Sequence, residues 1–176
     1  MKKKRLVIVL CVALVCCMGL GATVAWLTDT TDPVVNTFTV GNINIDLGET
    51  TTDYKMVPGV QIDKNPTVTV EANSEPCWLF VKVEESSNVD NFLTYAIATG
   101  WTQLSSGVYY REVATSTTDQ PFGVLAGNQV SVKDTVTKAM LDELTEQTYP
   151  TLTFTAYAVQ KAGNATAAEA WAKVTP

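Results

Sequence analysis

The chain has 176 residues, 12 of them basic and 18 acidic, for a net charge of −6, and it contains no histidine. An acidic balance argues against nucleic-acid binding, which needs basic patches. The lack of histidine removes Ser-His-Asp and Cys-His catalysis, His-ligated zinc and the commonest general base.

The chain opens with a positive block, Lys2, Lys3, Lys4 and Arg5, followed by Leu6 to Leu27 without a charge. A positive start, an apolar run and a small-residue cleavage site make a secretory signal peptide. The positive block stays in the cytoplasm because segments rich in Lys and Arg resist translocation. The run is helix-compatible to Met18, after which Gly19 and Gly21 loosen the backbone where a peptidase needs it extended. Thr23 and Ala25 place small side chains before a cut between Ala25 and Trp26. Three rival readings exist. About 20 apolar residues can also span a bilayer as a retained anchor. A lipoprotein would need a small residue before its cysteine, but Leu10, Val15 and Cys16 precede Cys11, Cys16 and Cys17. A cytoplasmic core helix would need helical neighbours, and the rest of the chain supplies few.

Removing 25 residues from 176 leaves a mature chain of 151, enough for one domain with a core of its own. Removing the four basic residues from 12 leaves 8 against 18 acidic, a net of −10. Of the four cysteines only Cys77 survives cleavage, so no internal disulfide can form. Its neighbours Trp78, Leu79 and Phe80 mark it as a small buried hydrophobe rather than a reactive thiol.

Strand signals then dominate in chain order. Asn36 to Val40 and Asn42 to Leu47, split by Gly41, alternate apolar and polar residues with the period of two that marks a half-buried strand. Gly48 to Tyr54 is a Thr-rich loop, and Pro58-Gly59 a turn. Thr67 to Glu71 alternates again. A turn over Asn73 to Pro76 leads into Cys77 to Val83, dense enough in apolar residues for the centre of a sheet. Asn91 to Ile97 is short and apolar. Val108 to Val113 follows a Ser-Ser-Gly turn as a strand, and Gln120 to Gly123 begins a loop. Gln129 to Val132 is strand-like, as is Thr135 to Thr137. Lys138 to Leu144 is a helix turn with Met140, Leu141 and Leu144 on one face. Thr151 to Val159 is the cleanest alternation in the chain. Asn164 to Val174 is Ala-rich and predicts a terminal helix capped by Asn164. The pattern predicts an all-β fold: a single jelly-roll-like β-sandwich with one or two short helices, the C-terminal one near 164–174, preceded by an N-terminal signal helix.

Little in the chain points to catalysis, a metal or a cofactor. Glu84 and Glu85 are adjacent on a strand and point to opposite faces; Asp142 and Glu143 are likewise neighbours. Asp29, Asp32 and Asp46 could meet a cation but read more simply as a solvated face. Asn164-Ala165-Thr166 matches a glycosylation sequon, which helix capping explains as well. Trp101, Tyr109 and Tyr110 are candidate aromatics for a ligand-binding face, with core packing as the plainer account.

The segment from Gly21 to Asp29, followed by Asn36 to Asp46, resembles the N-terminus of the TasA/camelysin family of Gram-positive bacteria. The shared features are a signal ending in a Gly-rich, aromatic, small-residue stretch, a short acidic element at Thr28-Asp29, and an Asn-x-Phe-x-x-Gly-x-Ile-x-Ile strand pair. The Pro58-Gly59 turn and the late strand from Leu152 to Val159 also fit. The resemblance implies a secreted jelly-roll protein of the cell surface or biofilm matrix, processed by a dedicated signal peptidase of the endoplasmic-reticulum type. It implies residues 1–25 as signal, 26–40 as a flexible arm and 41–176 as the sandwich domain. The arm's Asn36, Thr37, Phe38, Thr39 and Val40 would be the donor strand that adds to the next subunit's sheet edge. The partner is then the chain itself or a related matrix protein, with the membrane engaged only through the uncleaved signal. The camelysin branch has been described as a metalloprotease, an activity not carried over to a chain without histidine. A surface module binding carbohydrate or protein is the alternative to fibre assembly.

Overall fold

The computed structural model describes residues 3–4, 41–51 and 54–174. The chain divides into two units, Met1–Thr39 and Val40–Pro176, and every strand of the described residues belongs to the second. Apart from Lys3 and Lys4, the expected signal, its Ala25–Trp26 cleavage site and the segment Asn36 to Val40 lie outside the described residues. No helix among the described residues is long and apolar enough to cross a membrane.

The second unit is mostly β, with three antiparallel sheets and a few short helices. Ten strands run in order: β1 (Ile45–Gly48), β2 (Gln61–Asp63), β3 (Thr67–Val70), β4 (Cys77–Glu85), β5 (Leu93–Thr94), β6 (Thr102–Ser105), β7 (Val108–Val113), β8 (Gln120–Gly123), β9 (Gln129–Val132) and β10 (Leu152–Gln160). The helices are α1 (Val89–Phe92), α2 (Lys138–Asp142) and α3 (Ala167–Trp171). The sheets have the orders β1-β3-β8, β10-β4-β7-β6 and β2-β9-β5.

The first two sheets face each other across a shared core. Cys77, Leu79, Val81 and Val83 of β4 project to one side and meet Val68 and Val70 of β3, with Val113 and Val124 completing the buried set. The period of two sends Trp78 and Phe80 to the opposite side, where Ala167 and Ala170 of α3 cover them. Being buried on both faces explains why β4 reads as a continuous apolar run, and its place between β10 and β7 is the central one expected. The third sheet closes one end, packing Val130 and Val132 of β9 against Val89, Phe92 and Val136, with Met140, Leu141 and Leu144 alongside.

Three sequence expectations need correction. Gln120 to Gly123 is a strand rather than the start of a loop: it pairs with β3, Val68 opposite Phe122 and Thr69 opposite Pro121. Proline is tolerated there because β8 is an edge, so its missing N–H costs no ladder bond. Thr135 to Thr137 is not a strand, and Thr137 instead caps α2, its side chain accepting from the Met140 amide. The C-terminal helix begins at Ala167 and is capped by Thr166, not Asn164. Thr166 and Glu169 form a capping box, which satisfies two otherwise orphaned amides. Asn164 is buried at 3 % exposure. Its side-chain amide donates to the Gln160 carbonyl and its own carbonyl accepts the Trp78 indole N–H. The Asn164 side chain is thus tied inside the fold rather than presented as a glycan acceptor.

Candidate assembly surface

For a protein expected to join others by backbone pairing, the functional chemistry lies at the sheet edges. An edge strand presents unpaired N–H and C=O groups, and monomeric proteins blunt such edges with short strands, prolines, bulges or charges. Five of the six edges among the described residues are blunted. β1 and β8 have four residues each, and β8 carries Pro121. β6 has four residues and a register shift between Gln103 and Ser105. β2 has three residues and ends in Asp63, and β5 has two.

β10 is different. It runs nine residues, Leu152 to Gln160, with no proline, no charge and an unbroken register against β4. Its other side pairs with no strand among the described residues. Leu152, Phe154, Ala156 and Ala158 face the sheet interior, while Tyr157 and Val159 lie on the α3 side. β1, at the margin of the facing sheet, lies against β10, so this flank of the sandwich is bounded by two strand edges.

The opposite flank is plugged by side chains. Arg111 of β7 projects between the sheets, its guanidinium carbon 3.8 Å from the Phe122 ring centre and 5.5 Å from that of Trp101. Trp101 is fixed by its indole N–H, which donates to the Gly123 carbonyl at 2.9 Å. Gly100, at φ +94, passes so close that a Cβ there would stand 3.4 Å from a guanidinium nitrogen. Burial pushes the Arg111 pKa down, which fits a cation held by ring faces instead of a carboxylate.

The aromatic candidates for a ligand-binding face are therefore dispersed. Trp101 belongs to this plug. Tyr109 points into the inter-sheet core, while Tyr110 points to the α3 side, edge-on to Trp78 at 5.9 Å between ring centres. Neighbours on one strand face opposite ways, so the three make no common platform. Glu84 and Glu85 diverge for the same reason: Glu84 pairs with Lys82 at 2.7 Å, and Glu85 accepts from the Tyr95 hydroxyl. Asp46 is exposed on β1, and Asp29 and Asp32 lie outside the described residues. Cys77 is free and fully buried, and desolvation pushes its thiol up to about 11, which removes the thiolate that reactivity needs.

The β10 edge was not among the expected site residues. Its alternation was legible as a strand, but nothing in it announced a lateral position. Compared with family models, curated proteins and solved structures, the chain matches none.

Proposed function

We propose that this chain is a secreted structural protein of the cell surface or biofilm matrix, a jelly-roll-like relative of the TasA/camelysin proteins. Residues 1–25 direct export through a signal helix, and a dedicated signal peptidase cuts between Ala25 and Trp26. The freed arm, 26–40, adds Asn36, Thr37, Phe38, Thr39 and Val40 as a strand to the neighbouring subunit. The partner is another copy or a related matrix protein, and the assembly needs neither a cofactor nor catalysis.

The observation that carries this reading is the open edge of β10: long, uncharged and proline-free, where every other edge among the described residues is blunted. Strand addition draws affinity from main-chain hydrogen bonds and specificity from alternate side chains. Contacts that join different surfaces of identical subunits do not close, and so build filaments. The binding-module alternative loses its aromatic platform to the packing of Trp101, Tyr109 and Tyr110.

Electron microscopy of purified protein beginning at Trp26 tests the reading. Filaments are expected; a preparation of dispersed monomers at every concentration sinks it.

A further inference from the structure

A cavity of about 750 Å³ opens beside α2, a size within the range of about 300–1,000 Å³ in which proteins hold small ligands. Its floor is aliphatic. Met56, Ile62, Leu141, Leu144 and Leu152 line it, and all five are only half-buried. They pack against the buried cluster that holds Phe92, Val130 and Val132, yet each keeps a side open to the cavity. The core beneath the third sheet is therefore unfinished at this point. Water fills such a space poorly, because aliphatic side chains offer it no hydrogen bonds. A ligand whose apolar part displaces that water gains affinity.

The polar part of the lining has one sign. Lys55 and Lys64 line the cavity, and no carboxylate does so among the described residues, although acidic residues outnumber basic ones 18 to 12 in the whole chain. Lys64 is already neutralised. Its ammonium lies 2.9 Å from Glu49, a pair with side chains only 12 % and 15 % exposed, and Glu49 also accepts from the Tyr54 hydroxyl at 2.9 Å. Lys55 is exposed and makes no ion pair among the described residues. Tyr149, 51 % exposed, adds a hydroxyl to the same lining. The cavity thus joins an aliphatic floor to one uncompensated positive charge.

That combination says what fills it. A peptide would bring backbone donors and acceptors onto the floor, where they would find no partners. The adjoining wall has no N–H to spare either: Pro150 lacks one, and the Thr151 amide donates to the Ser86 hydroxyl at 2.9 Å. A hydrocarbon chain carries no such groups. A single carboxylate at its end matches the single free ammonium, and the lysine stem can cover apolar surface while its charge stays in water.

We propose that this cavity binds a fatty acid, its chain on the floor from Met56 to Leu152 and its carboxylate on the Lys55 ammonium. The site goes beyond fibre assembly and holds whether or not the chain polymerises.

Calorimetric titration of protein beginning at Trp26 with decanoate tests it. One decanoate should bind per chain, and each methylene added between octanoate and dodecanoate should tighten binding by about three- to fourfold. Lys55→Glu should weaken decanoate by about tenfold, since attraction becomes repulsion, and leave decanol unchanged; Lys55 is exposed, so the variant folds. Decanoate carrying a diazirine on its chain, photolysed and mapped by mass spectrometry, should label peptides holding Met56, Ile62, Leu141 or Leu144 and spare β3. That mapping needs no substitution and reads monomers and filaments alike. Absence of saturable binding overturns the proposal, as does labelling elsewhere. Binding without chain-length dependence reduces it to surface ion pairing, and equal binding of decanoate and decanol removes the anion; both results contradict it. Attachment to phosphatidylglycerol vesicles without binding of free decanoate assigns the face to a membrane surface and equally overturns it. Filaments that bind no decanoate leave fibre assembly standing and sink this site alone.

Discussion

Protein shortened to begin at Gly41 is expected to stay monomeric at concentrations about a thousandfold above those at which protein beginning at Trp26 assembles. The magnitude follows from what five added residues contribute. Each new ladder hydrogen bond contributes about 1 kcal/mol net, and fixing each residue costs about 1–2 kcal/mol, so backbone pairing roughly cancels its own ordering. The surplus comes from side chains. Burying Phe38 and Val40 contributes about 4 kcal/mol together, which is roughly a factor of a thousand in an association constant. The shortened protein should nonetheless fold, because the three cores described lie within residues 41–174. Sedimentation velocity across a dilution series reads both properties at once. Equal assembly with and without the arm contradicts the account.

The second large effect is on stability. Leu79→Ala is expected to lower the unfolding free energy by about 3–4 kcal/mol, from lost transfer energy plus the cavity left behind. Leu79 is fully buried, and it stands in the central strand opposite Ala158 on one side and Arg111 on the other. No neighbouring strand can move into the space without breaking two ladders. Val57→Ala, by contrast, removes methyls from a residue 50 % exposed and should change stability by less than about 0.5 kcal/mol. Urea titration separates the two: the Leu79→Ala midpoint falls at unchanged slope, and the Val57→Ala midpoint stays. A Leu79→Ala cost below about 1 kcal/mol would mean that the two sheets do not share the core described.

How much of the fold was legible in the sequence depends on strand length and on what each strand faces. β3, β4, β7, β9 and β10 were readable because each is four residues or longer and its apolar pattern shows. β2, β5 and β6 were not, being short or polar, and β5 begins directly where α1 ends. β8 was hidden by Pro121, which ordinarily argues against a strand and is harmless only at an edge. Asn164, a good cap by type, sets the start of the terminal helix too early. The capping box Thr166-Ala167-Ala168-Glu169 is present in the sequence and gives the true start. The third sheet was not foreseeable, since it pairs strands far apart in the chain by way of β9. The site divides in the same way. The residues of β10 were evident, but only the topology shows that the strand lies at a margin.

The central claim is that β10 is the receiving edge, and amide hydrogen exchange of that strand tests it most directly. In monomers, the amides of residues 152–160 that point away from β4 should exchange readily. In filaments of protein beginning at Trp26 those covered by the five-residue donor segment should slow by at least about tenfold, as newly paired amides do, while residues 102–105 of β6 keep their monomer rates. Filaments in which β10 exchanges as fast as in the monomer would contradict the account.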